Sequence, residues 1–170
     1  LFELMEERQT TIDGECHKMS DVYSIVATQN PIEQEGTYRL PEAQLDRFLF
    51  KIMVSYPSVD EEVKIIQAHN SNMKYTKLEN VEPILTKELL SLRELAHSIF
   101  IDEKLMKYIA LLIQETRTNK SIYIGASPRA SIAYLHAVKA YALIQGRTFV
   151  IPDDIKILTY PILCHRIILT

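Results

Sequence analysis

Asn30, Arg47 and Arg129 are the residues of this chain whose type and setting suit them to chemistry. Asn30 follows an apolar run, VYSIVA at residues 22–27, then Thr28 and Gln29, and it precedes Pro31. The run alternates too little for a strand with one wet face and reads as a strand covered on both faces. Ligands of open parallel sheets gather beyond the carboxyl ends of the strands, so a carboxamide at such a tip is placed to hold a water or a phosphate oxygen. Asparagine before proline is also an ordinary turn former, and that reading stands beside the first. Arg129 lies in GASPRA, residues 125–130, where Ser127 caps a helix and Pro128 takes its first position. Arg129 then falls in the first turn, where the helix dipole disfavours a cation by roughly a few tenths of a kcal/mol. A cation placed there points to a use other than stability; pairing with a nearby carboxylate is the plainer alternative.

Arg47 closes a specific order of elements. Glu35, Gly36, Thr37 and Tyr38 make a loop, residues 41–45 start a short helix with Pro41 near its first turn, and Asp46-Arg47-Phe48 leads into a second apolar strand at residues 48–54. The order is strand, polar tip, short helix, arginine, strand. The plainer reading of Arg47 is a surface ion pair with Asp46, worth little either way.

The strings ATQNPIEQEGTY, residues 27–38, and LPEAQLDRF, residues 40–48, resemble the second half of the ATPase core in the MoxR family of AAA+ ATPases, and the similarity runs over most of the chain. Arg39 stands where the family pattern has proline. The resemblance implies an α/β fold followed by an all-α one: the C-terminal half of a P-loop ATPase core, then a helical lid. It implies that Asn30 is sensor 1, a catalytic and nucleotide-binding residue. It implies that Arg47 is an arginine finger acting on the nucleotide of a neighbouring subunit, and that Arg129 is sensor 2, touching nucleotide phosphates where core and lid meet. No metal ligand is implied in this stretch. ATP and Mg2+ are the implied cofactors, and a homo-oligomeric, hexameric ring is the implied assembly; a cytoplasmic location is expected from the two cysteines, which fit a reducing compartment. The implied work is chaperone-like remodelling or maturation of client proteins, those with a von Willebrand A-type domain among them.

Hydrolysis in such a site also needs a glycine-rich phosphate loop with its lysine and an acidic pair for magnesium. The sequence has only four glycines, no G-x-x-x-x-G-K-[ST] and no apolar strand ending in Asp-Glu. The chain by itself is therefore expected not to turn over ATP, and tight binding of ATP and Mg2+ is expected to need residues upstream. Residues 1–8 have helical spacing but no cap precedes Leu1, so the natural sequence is expected to extend further in that direction.

With 170 residues the chain is long enough for one domain with a core, or two small lobes. A net charge of −3 with 24% charged residues provides no basic field for nucleic acid. Cys16 and Cys164 lie far apart, with no zinc spacing around them, and read as plain thiols. No apolar run reaches the roughly 18 residues a membrane span needs, so no membrane insertion is expected.

Gln9 to Ile12, Asp13-Gly14 and Glu15 to Lys18 read as a hairpin, because Asp-Gly supplies the positive φ angles of a tight turn. Ser58 and Glu61 make a capping box for a helix reaching about Asn70, and a polar linker follows to Pro83. Helices are then predicted over residues 87–98, 103–116, 128–145 and 152–169, the last broken at Pro161. Residues 1–57 are assigned to the core and 58–170 to a linker helix and lid. Two other functions stay open on the residues alone. One is a non-catalytic helical module that binds a protein partner; the other is a helix-turn-helix DNA reader, disfavoured because no helix pair shows a basic face.

Overall fold

The structure, a computed structural model, describes residues 2–29, 41–71 and 82–170. Asn30, Arg39 and the loop at residues 35–38 lie outside the described residues. The chain forms two compact units, one made of Leu1–Lys51 with Thr86–Thr170 and the other of Ile52–Leu85.

The first unit opens with helix α1, Phe2–Glu7, and the hairpin of β1, Gln9–Ile12, and β2, Glu15–Lys18. The strands pair antiparallel with Gln9 opposite Lys18 and Ile12 opposite Glu15. Asp13 and Gly14 take φ of 51° and 85°, the positive angles a two-residue turn matching strand twist requires. The Glu3 carboxylate accepts from Thr11 N at 3.1 Å and Thr11 Oγ1 at 2.6 Å, tying the helix to the hairpin and holding the Glu3 carboxyl below its ordinary value. Tyr23 Oη donates to Leu4 O at 2.8 Å. Helix α2, Glu42–Leu45, follows Pro41 as a single short turn.

The second unit holds α3, Val59–Asn70, with the capping box read from the sequence. Ser58 N donates to Glu61 Oε2 at 2.8 Å and Glu61 N donates to Ser58 Oγ at 3.4 Å, so two orphan amides of the helix start are satisfied reciprocally.

The rest of the first unit is a helical bundle. It comprises α4, Thr86–Ser98; α5, Glu103–Thr118; β3, Ile122–Ile124; α6, Pro128–Ile144; α7, Pro152–Leu163; and β4, Ile168–Leu169. Asp102 caps α5 by accepting from Lys104 N at 2.8 Å. Helix α6 is apolar on several sides and lies at the centre, packed against α4, α5 and α7. Its Ala130, Ala133 and Ala137 are buried, and these small residues let neighbours approach closely. Ile113 of α5, Tyr134 and Val138 of α6, and Ile155 and Ile162 of α7 complete the core. Phe100 N donates to Thr148 O and Val150 N to Phe100 O, each at 3.0 Å, joining the α4–α5 connection to the α6–α7 connection. No helix among the described residues is long and apolar enough to cross a membrane.

Three local expectations differ from the structure. Residues 22–27 carry no strand pairing, because among the described residues no strand lies beside them to take their backbone groups. Residues 48–54 are not a strand either, and here the reason is visible. Lys51 N donates to Pro161 O at 2.9 Å, while Phe48 O and Leu49 O accept from side chains just beyond α7, so these groups are committed to the end of α7 rather than to a sheet. Helix α7 runs unbroken through Pro161 and ends at Leu163, and Ile168–Leu169 pairs antiparallel with Ile122–Ile124 instead of continuing the helix. Pro161 has no N–H to give to the preceding turn, and the helix ends two residues beyond it.

Candidate functional site

The site begins with a close approach of backbone to helix. A Cβ on Gly125 would lie 2.6 Å from Thr116 O and 2.8 Å from Arg117 Cα, so only glycine lets residues 125–126 run against the end of α5. Thr116 Oγ1, buried, donates to Ile113 O at 2.6 Å and accepts from Ala126 N at 3.0 Å; Arg117 Nε donates to Ala126 O at 2.8 Å. This anchor delivers Ser127 to the head of α6, where its Oγ accepts from Arg129 N at 3.1 Å. Arg129 therefore projects from the first turn, its side chain 52% exposed.

The same Ser127 hydroxyl donates to Asp46 Oδ2 at 2.8 Å, and Arg129 NH1 lies 3.9 Å from that oxygen. Asp46 follows the short helix α2 directly, with Arg47 next to it and half-buried. The other carboxylate oxygen, Asp46 Oδ1, accepts from Arg166 Nε at 3.0 Å. Arg166, almost fully buried, also reaches Asp46 O at 3.1 Å, Phe48 O at 2.6 Å, Leu49 O at 3.2 Å and Ile162 O. Burial pulls its guanidinium below the ordinary arginine value, and the adjacent Asp46 charge opposes that pull. His165 is buried beside it, with Nε2 3.0 Å from Phe48 O, and burial holds its imidazole below the ordinary value. Since a carbonyl only accepts, Nε2 carries the proton, and among the described residues Nδ1 has no hydrogen-bond partner.

Four of these residues border a groove of about 230 Å³. Arg47, Arg129, Arg166 and Asp46 line it on the polar side, with Met5, Leu49 and Ile132 among its apolar contacts. Two arginines singled out in the sequence, Arg47 and Arg129, are thus brought to one cavity although far apart in the chain. Guanidinium groups with fixed donor geometry are suited to phosphate oxygens, so the lining fits an anionic phosphate group. Among the described residues no group of three or more His, Cys, Asp or Glu side chains is gathered to hold a metal ion. Sequence reasoning missed Asp46 as a hub and Arg166 altogether. The available signal was a basic pair, His165-Arg166, just past a helix end, where cations meet unpaired carbonyls.

Comparison with known proteins fits this geometry. Residues 1–50 match the ATPase family associated with various cellular activities (AAA), and residues 114–170 match the AAA lid domain. The uncharacterized protein YeaC of Bacillus subtilis (strain 168) is 44% identical over 170 residues, covering 99% of this chain and 52% of that protein. Chaperone MoxR1 of Mycobacterium tuberculosis is 40% identical over 179 residues, covering 100% of this chain and 46% of that protein. The crystal structure of a candidate ATPase from Cytophaga hutchinsonii superposes with a TM-score of 0.85 at 38% identity, covering 99% of this chain and 53% of the other. The chain spans about half the length of the curated relatives it matches. With the lid matched at residues 114–170, the core at residues 1–50 and MoxR proteins among its relatives, the chain belongs to the MoxR family of AAA+ ATPases, of which it carries the last part of the core and the helical lid.

Proposed function

We propose that the groove at the head of α6 receives nucleotide phosphates, and that the chain serves as the sensor and lid part of an ATPase whose hydrolysis drives chaperone-like remodelling or maturation of client proteins. The observation that carries this reading is that Arg129, at the head of α6, and Arg47, beside Asp46, both present a guanidinium to a groove, where each can meet a phosphate oxygen. Arg129 reads the nucleotide of its own subunit from the lid; Arg47 acts as an arginine finger, stabilising charge that develops on the transferred phosphoryl group. Asn30, outside the described residues, is proposed as sensor 1 and would orient the attacking water. ATP supplies the phosphoanhydride to be cleaved, and Mg2+ would be held by acidic residues that this chain does not contribute. Residues 1–57 belong to the core and 58–170 to the linker helix and lid in this scheme. The working assembly is a cytoplasmic homo-oligomeric ring, taken as hexameric.

The shared groove also favours a second reading, in which Arg47 and Arg129 serve one and the same phosphate within a subunit. Either way the whole protein should lose turnover by on the order of 10³-fold on Arg47→Ala, and substantially on Arg129→Ala, with the fold intact. The 170-residue chain alone should show no ATP turnover, since it has no phosphate loop. Steady-state hydrolysis measured on the purified chain, the whole protein and both variants checks all of this; turnover by the chain alone that vanishes with Arg129→Ala would overturn the proposal.

A further inference from the structure

The arginines that face the groove are themselves held by a buried joint. Arg166 donates to Asp46 Oδ1 and to the carbonyls of Asp46, Phe48 and Leu49, so the chain is clamped on both sides of Arg47. Its bond to Ile162 O anchors the clamp in the last turn of α7, where helix carbonyls lack partners. The second Asp46 oxygen takes the Ser127 hydroxyl, the cap of the helix whose first turn carries Arg129. One carboxylate thus ties together the segment bearing Arg47 and the helix bearing Arg129. Its partner Arg166 has only 3% of its side chain exposed. Burying an ion pair contributes little to stability compared with apolar packing, so what this joint provides is geometry. A planar fork can bind several acceptors in fixed directions, which an ammonium cannot.

We propose that Asp46 and Arg166 are positioning residues: they set Arg47 and Arg129 at the separation needed to meet phosphate, and they couple movement of the C-terminal end of the lid to Arg47. This role rests on the reading of the groove as a phosphate site. Neither residue needs to touch nucleotide.

The test uses the whole protein with ATP as the probe and compares Arg166→Lys, which keeps the charge and loses the fork, with Asp46→Asn. Arg166→Lys should lower kcat by about tenfold to a hundredfold with KM for ATP little changed, because a small misplacement of an acting group costs rate rather than binding. Amides of residues 46–51 should exchange about tenfold faster while those of α5 and α6 keep their protection, which separates a loosened joint from unfolding. Asp46→Asn should give the same pattern more mildly. In an Arg47→Ala background, Arg166→Lys should add little further loss, since the two act through one group. Losses that simply add, or a wild-type kcat despite faster exchange at residues 46–51, would overturn the positioning role. If Arg47→Ala and Arg129→Ala both leave hydrolysis unchanged, the phosphate reading itself falls and the positioning role with it, an outcome recognised without any variant of Arg166.

Discussion

His165 shows how a single residue couples this fold to pH. Its Nε2–H is committed to Phe48 O, and a second proton on Nδ1 would sit buried, beside Arg166 and with Lys51 also acting on the ring. His136 is held below its ordinary value too, first by burial, then by His97 across the α4–α6 contact, where the two rings meet edge to face at 5.5 Å, and by Lys139 on its own helix. Because both folded values are lowered, the unfolded chain takes up protons that the folded chain refuses. The stability linked to these groups is complete above the ordinary imidazole value, about 6.5, and is lost as pH falls below it toward the folded values. The thermal midpoint should therefore drop between about pH 7 and pH 5, and His165→Gln should flatten part of that slope. An unchanged slope would mean that the imidazole is wetter than its burial implies. At the same scale, Asp46→Ala should cost about 3 kcal/mol in a denaturant titration, because it strands a buried guanidinium.

At the scale of elements, the head of α6 depends on its approach to the end of α5. Gly125→Ala would drive a methyl group into Thr116 O and the Arg117 backbone, which are not flexible side-chain ends that can step aside. The expected cost is about 1–3 kcal/mol of stability, with loss of the Ala126 N to Thr116 Oγ1 bond. Nucleotide affinity should weaken alongside, since Ser127 and Arg129 follow directly. A variant as stable as the parent by thermal unfolding, with unchanged nucleotide binding, would show that the approach can relax. Helix α7 depends on a different device. Arg147 forms a two-bonded pair with Asp154, whose Oδ2 also accepts from Ile151 N at 2.9 Å, so a carboxylate buried to 2% exposure starts the helix where Ile151 offers no polar cap.

At the scale of the whole molecule, the question is whether Arg47 serves its own subunit or the next. If the whole protein works as the proposed ring, the ring can be doped with subunits that carry a disabled Walker acidic pair together with either Arg47→Ala or Arg129→Ala. If Arg47 acts across the interface, the first kind of subunit spoils two sites and the second spoils one, so the first loss curve should fall more steeply with doping. Coincident curves would assign Arg47 to its own subunit and favour the second reading of the groove. Val26, Ile52 and Val54 are 86%, 78% and 90% exposed, the condition of strand-forming residues without neighbours.

The sequence by itself determined whatever depends on neighbours within a few residues. Asp13-Gly14 made the hairpin, Ser58, Asp102 and Ser127 marked helix starts that hold in the structure, and the strings around Asn30 and Arg47 carried the family. Caps and tight turns are decided by groups adjacent in the chain, so they can be read before folding is known. What the tertiary structure decided was long-range competition for backbone groups and charge. Residues 48–51 turned from an expected strand into a segment bonded to the end of α7, and Pro161 stayed within its helix. Asp46 found Arg166 from 120 residues away, a pairing invisible to any local pattern, and Arg47 and Arg129 line the same groove.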